Sequence, residues 1–279
     1  MRAGDHPRRP RTCLLQYCHR WGVLVTRALL LSRHDAAWLC REPAPLVTVL
    51  ITPALLVLFI KPLYADAVTR LGYLHGDGVQ LAVPGVAVMF SFFLIGLVTD
   101  SYFREHGLQT WQRLRLSPVR TWEVLLGKST LCSALSVTQT AFLFALGWTV
   151  VGLHITGSIL ALATMALALA ACVSSFALAL CAVSASRRQA FAAERVVTLT
   201  WTLVGGALVP TDLMPALVQW IAKATPVYWA VNGFRQVVLD GAALTDILPC
   251  LAAVLAFTAV FTAVALWRFP MDQERLHWT

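Results

Sequence analysis

Between Ser129 and Ser186 the chain carries no Asp, Glu, Lys or Arg. A hydrocarbon core about 30 Å thick is crossed by about 20 apolar helical residues, so this run is too long for one span. Its single turn-like interruption is GLHITGS at residues 152–158, which predicts a tight hairpin between two spans. Further apolar stretches lie at residues 45–60 (with Pro53 inside), 79–99, 196–209 and 247–267. Pro is tolerated in a span where neighbouring helices re-satisfy the backbone. The reading is an all-α polytopic membrane protein with six transmembrane helices. Composition agrees: 58% of residues are hydrophobic and 13% charged, against roughly 25% charged in soluble domains. An outer-membrane barrel would show alternating segments of about ten residues, and none occurs.

Positive charge sets the orientation. Eighteen of the 22 Lys and Arg fall in the N-terminal segment, in the loops after spans two and four, and after span six. Only Lys61, Arg70, Lys223 and Arg235 fall in the other loops. The positive-inside rule puts both termini in the cytoplasm, and an odd number of spans would destroy the asymmetry. The net charge of +8 therefore reads as topology and contact with anionic lipid rather than nucleic-acid binding.

Residues 1–18 read as a basic, flexible tail. Arg8-Arg9 resembles a twin-arginine signal only superficially, because His19, Arg20 and Arg27 break the following stretch. Residues 19–42 alternate apolar side chains with Arg20, Arg27, Arg33 and Arg41. They predict an amphipathic helix in the inner headgroup layer. Residues 43–279 form the six-span domain. The cysteines suggest no disulfide framework, and Cys13 and Cys18 lack partners at zinc-site spacing.

Two polar regions interrupt the spans. Residues 104–128 place Trp111, Leu114 and Leu116 among Arg113, Arg115 and Arg120, with Ser117-Pro118 as a break. This predicts a bent amphipathic helix at the inner surface, with an apolar stripe that needs cover. Residues 210–249 are too polar to span and too apolar for a plain loop. Pro215 and Pro226 fit first helical turns, which predicts two short helices dipping into or lying on the outer leaflet. An outer loop resting at the interface on Trp and Tyr anchors is the alternative.

No catalytic constellation emerges. Gly127-Lys128-Ser129 imitates the end of a phosphate-binding loop, but position 122 is Trp where that loop needs Gly. Spans two to six carry no Asp, Glu, Lys or Arg near the midplane, which disfavours a membrane hydrolase and a proton-driven antiporter. Phe90, Phe92 and Phe93 in span two and Trp201 in span five are candidates for an amphiphile path, although packing is the commoner role of such residues.

Glu105-x-Gly107, Leu114, Ser117-Pro118-Val119 and Leu125-Leu126-Gly127-Lys128 resemble the cytoplasmic segment of type-2 ABC exporter permeases. Gly206, Pro210, Leu213-x-Pro215, Pro226-x-Tyr228 and Arg235 are similar to that family's second signature. Its daunorubicin-resistance-like drug and lipid exporters are the nearest subgroup. One departure is Leu108 after Gly107, where the family often has Thr.

The resemblance implies a plasma-membrane permease, bacterial in kind, that dimerises with itself or a paralogue and binds two copies of a cytosolic ATPase. ATP and Mg would be used by that partner, with no cofactor or metal on this chain. Glu105, Gly107, Trp111, Arg113, Leu114, Arg115, Ser117, Pro118 and Arg120 would form the coupling helix. Residues 19–42 would be the connecting helix, and Pro210, Pro215, Pro226, Tyr228 and Arg235 would belong to outer re-entrant helices. The implied function is export of an amphiphilic drug or lipid. A secondary transporter or channel, or a membrane enzyme or assembly factor, are the alternatives.

Overall fold

The computed structural model describes residues 44–70, 78–107 and 121–268. Among them the chain is all-helical, without strands. The long helices are α1 (Ala44–Arg70), α2 (Val79–Phe93), α3 (Ile95–Gly107), α4 (Thr121–Leu146), α5 (Ile159–Val183), α6 (Arg187–Val204), α8 (Pro226–Leu239) and α9 (Leu248–Arg268). A short α7 (Ala216–Ala222) precedes α8. The expected helix at 19–42 lies outside the described residues.

Four helices among the described residues are long and apolar enough to cross a membrane: Val79–Phe103, Ser129–Val151, Ile159–Val183 and Leu248–Arg268. The first joins α2 to α3 through a tightened turn, where the Leu94 N–H donates to Ser91 O at 3.3 Å, a three-residue step. The charge-free run divides where expected. Helix α4 widens into a π turn (Gly147–Val151), and Gly152, at φ 87°, ends it. The hairpin then leads into α5.

The other two predicted spans are less simple. The apolar part of α1 is the shorter stretch Val47–Pro62. Helix α6 begins at Arg187, inside the stretch read as a charged loop. The reason is a reciprocal cap: the Ser186 hydroxyl accepts the Gln189 N–H at 3.3 Å, and Gln189 Oε1 accepts the Ala185 N–H at 2.9 Å. The helix stops at Val204 rather than 209, at a Gly205-Gly206 pair. Gly206 sits at φ 86°, where a side chain is strained.

Helix α5 is the hub. It is 78% buried across its apolar window and packs on α3, α4, α8 and α9. Helices that are apolar on every face need such surroundings, whether protein or lipid. Its alanines let neighbours approach closely, the usual basis of association where apolar burial gives little drive. Helix α9 is only 17% buried, and Leu248, Leu255, Val260, Leu266 and Trp267 are exposed on it.

Mid-span, one polar contact joins two helices. Ser91 on α2 donates to Ala87 O at 2.9 Å, with Gln139 Oε1 and the Thr140 hydroxyl of α4 at 3.1 and 3.4 Å. Gln139 Nε2 and the Ser136 hydroxyl find no partner among the described residues.

Candidate functional site

The described residues carry both ends of the bundle, and each end holds one predicted region. At one end α3 carries Glu105 and Gly107 in its last turn, and α4 resumes at Thr121. Trp111, Arg113, Leu114, Arg115, Ser117, Pro118 and Arg120 lie outside the described residues. What anchors this segment is visible. Tyr102 and Phe103, in edge-to-face contact at 5.2 Å, are buried with Leu178, Cys181, Ala190 and Ala265. That cluster fastens the end of α3 to α5, α6 and α9. Asp100 pairs with Arg187 at the start of α6, and the Arg187 guanidinium lies 5.5 Å over the Phe191 ring.

One turn further along α6 is Glu194, whose side chain is 1% exposed. It faces Gly96 of α3, and its Oε2 lies 3.3 Å from the Arg195 guanidinium, out of line for a hydrogen bond. Burial pushes its carboxyl above the ordinary carboxylate range, and Arg195 pulls it partly back.

At the opposite end, helices stand over residues 216–222 and 226–239. Pro215 immediately precedes α7, and Pro226 opens α8 behind Thr225, whose hydroxyl accepts the Tyr228 N–H at 3.4 Å. Pro210 leads into a single 3-10 turn, Thr211–Leu213. Arg235 reaches back to Asp212 at 2.5 Å, clamping α8 to that turn. Tyr228 packs edge-on against Trp229 at 5.3 Å, and Trp229 donates to Lys223 O at 2.9 Å.

This cap is tied to the spans. The Tyr64 hydroxyl of α1 donates to Leu208 O, and burial holds that phenol above its ordinary pKa. The Lys61 ammonium donates to Val151 O at 3.1 Å. The hairpin 152–158 binds the end of α8 through Thr156 Oγ1 to Val238 O at 2.9 Å and the Gly157 N–H to Val237 O at 3.0 Å. Beneath the cap, Tyr64, Pro84, Gly206, Pro210, Asn232 and Arg235 border a crevice of about 10 Å³. That is room for about one water and no larger ligand.

The aromatic residues divide into two groups. Phe90 and Phe93 meet each other edge-on at 5.5 Å. Trp201 instead joins Phe92, Phe176 and Phe261, with centroids at 6.2, 4.8 and 6.0 Å. Phe176 and Phe261, which the sequence reading did not single out, thus complete an aromatic knot between α2, α5, α6 and α9. Gln139 was also missed there. A lone amide in a span marks a buried polar contact as readily as Ser or Thr does.

The model of the family described as "ABC-2 type transporter" matches residues 28–239. Among curated proteins, "Probable multidrug ABC transporter permease YbhR" of Escherichia coli (strain K12) is 24% identical over 211 residues. That alignment covers 75% of this chain and 57% of the relative, so the chain spans little more than half of that protein's length. "Linearmycin resistance permease protein LnrN" of Bacillus subtilis (strain 168) is 33% identical over 78 residues, covering 28% of this chain and 20% of that one.

Proposed function

Because this chain belongs to the ABC-2 type transporter family, we propose that it is the multi-pass membrane subunit of an exporter driven by ATP hydrolysed on a separate cytosolic ATPase. The observation that carries this reading is the extent of the family match. Residues 28–239 take in the polar segment at 104–128 and the outer cap at 210–239 in one continuous alignment. In the proposed arrangement α1 and α6 supply the first and fifth of six spans, and both termini face the cytoplasm. Two permeases, identical or paralogous, bind two ATPase copies. An apolar stripe of Val196, Leu199 and Leu203 remains exposed on α6 and supports contact with a second permease.

The proposed mechanism follows from how the polar segment is rooted. ATPase closure pushes on residues 105–120. The push enters α3, whose end is fixed to α6 by Asp100–Arg187 and to α5 and α9 by the Tyr102–Phe103 cluster. Helices so joined move as one body, a two-state change biased by nucleotide. The outer cap, clamped by Arg235–Asp212, closes the far end until that body moves. The names of the relatives support a drug or antibiotic as cargo, and the absence of Asp, Glu, Lys and Arg near the midplane suits an amphiphilic one.

The test is charge reversal at Arg113→Glu with Arg115→Glu. Insertion and folding should persist while co-purification with an ATPase and ATP-dependent transport are lost. Wild-type transport in that variant would refute the coupling role.

A further inference from the structure

The lateral face of the bundle holds a groove of about 380 Å³ between α4, α5 and α9, within the roughly 300–1,000 Å³ of ordinary small-molecule sites. Its position along the spans is fixed by its lining. Ser129 opens the span Ser129–Val151, Leu178 lies near the end of Ile159–Val183, and Ala265 and Leu266 lie near the end of Leu248–Arg268. The groove therefore runs from the end of the bundle that carries Arg268 toward its middle, and its rim at Thr262 and Leu266 is exposed. In the proposed orientation this is the inner-leaflet half.

Its chemistry is unusual for a surface facing hydrocarbon. Ser129, Ser133, Ser174, Ser175, Thr258 and Thr262 all line it. A hydroxyl has one proton to give, and Ser133, Ser174, Ser175 and Thr258 give theirs to other groups of the protein. Ser174 donates to Ala171 O at 3.1 Å, Ser175 to Cys172 O at 2.8 Å and Thr258 to Val254 O at 2.9 Å. The Ser133 hydroxyl donates to Ser174 Oγ at 3.1 Å. What these four oxygens still offer is lone pairs. Apolar walls with acceptors suit an apolar molecule that carries hydrogen-bond donors. A phospholipid acyl chain has none at this depth.

The geometry points to this groove as the reception site for exported amphiphiles that bear hydroxyl or ammonium donors on an apolar body, entering from the inner leaflet. That the occupant is cargo rests on the exporter reading; the donor preference of the groove does not.

The full chain, purified into vesicles of phosphatidylethanolamine and phosphatidylglycerol without any ATPase, is photolabelled with two diazirine probes. One is a long-chain amino diol and the other the matched methyl ester, which has no donor. Adducts are mapped by mass spectrometry. The amino diol should label residues 129–133, 171–178 and 258–266 roughly three- to tenfold more than the ester, the ratio expected of one or two such hydrogen bonds. Both probes should label exposed Leu248 and Leu255, outside the groove, alike. Ser133→Ala with Ser174→Ala should bring the ratio in the groove to about one. Thr262→Phe, at the exposed rim, should lower groove labelling by either probe. Equal labelling by the two probes in the unaltered groove, or a preference that survives the double Ala change, overturns the inference. Because no ATPase is present, loss of this preference is distinguishable from failure of ATP-driven export.

Discussion

Gly85 is where α2 passes the turn at residues 206–210. A Cβ there would lie 2.0 Å from Ala207 O and 3.0 Å from Ala207 C, against 3.4 Å for ordinary contact. The carbonyl would have to retreat by about 1.4 Å, and it is not free to do so. Gly206 holds the turn at φ 86°, the Ala207 N–H is bound to Thr202 O at 3.1 Å, and Leu208 O accepts from Tyr64. Gly85→Ala should therefore cost about 1–3 kcal/mol, the usual cost of overpacking. That is a fall in unfolding midpoint of roughly 2–12 °C for a chain of this size class.

Gly96→Ala is the matched control. It is also helical, but its nearest neighbour would be Phe191 Cε1 at 3.7 Å. There the helix-propensity gain of roughly 0.5–1 kcal/mol should show instead. Thermal unfolding in detergent, followed by fluorescence-detected size exclusion, reads both. If Gly85→Ala is neutral, or Gly96→Ala is equally damaging, the close fit of α2 against the turn at residues 206–210 is wrong.

Three further substitutions probe the buried polar groups. The Glu194 carboxyl is raised by burial, so its contribution to stability is full below the unfolded-state pKa and falls as pH rises through the folded-state value. Glu194→Gln should flatten the dependence of melting temperature on pH across that window and raise stability at neutral pH; an unchanged pH profile would count against a strained carboxylate. At mid-span, Gln139→Leu removes an Nε2 without a partner among the described residues along with the bond to Ser91. Intramembrane hydrogen bonds average only about 0.6 kcal/mol, so this change should be neutral or mildly stabilising in the same melt. Ser91→Ala, which leaves Gln139 with neither bond, should cost up to about 1–3 kcal/mol.

How much of this was legible in the sequence depends on the reach of each signal. The hairpin at 152–158 and the start of α2 at Val79 were plain, because charge-free length and turn residues are local. The start of α6 was legible too: Ser186-x-x-Gln189 is a capping box, but the neighbouring arginines suggested a loop. The outer helices were marked by Pro215 and Pro226. Their clamp, Arg235 on Asp212, was not, since it joins residues 23 apart in the chain. The same holds for Ser91 with Gln139, 48 apart, and for Trp201 with Phe176 and Phe261. The hydroxyl groove needs three helices side by side, and no single segment announces it. Of the residues expected to form the coupling helix, only Glu105 and Gly107 fall within a described helix.

ATP hydrolysed on a separate subunit is proposed to drive this chain. Inside-out vesicles carrying the permease with its cytosolic ATPase, assayed for uptake of a fluorescent amphiphile, test it most directly. Uptake should require ATP and persist when ionophores collapse every ion gradient. Uptake driven by an imposed ion gradient in the absence of ATP would contradict the account.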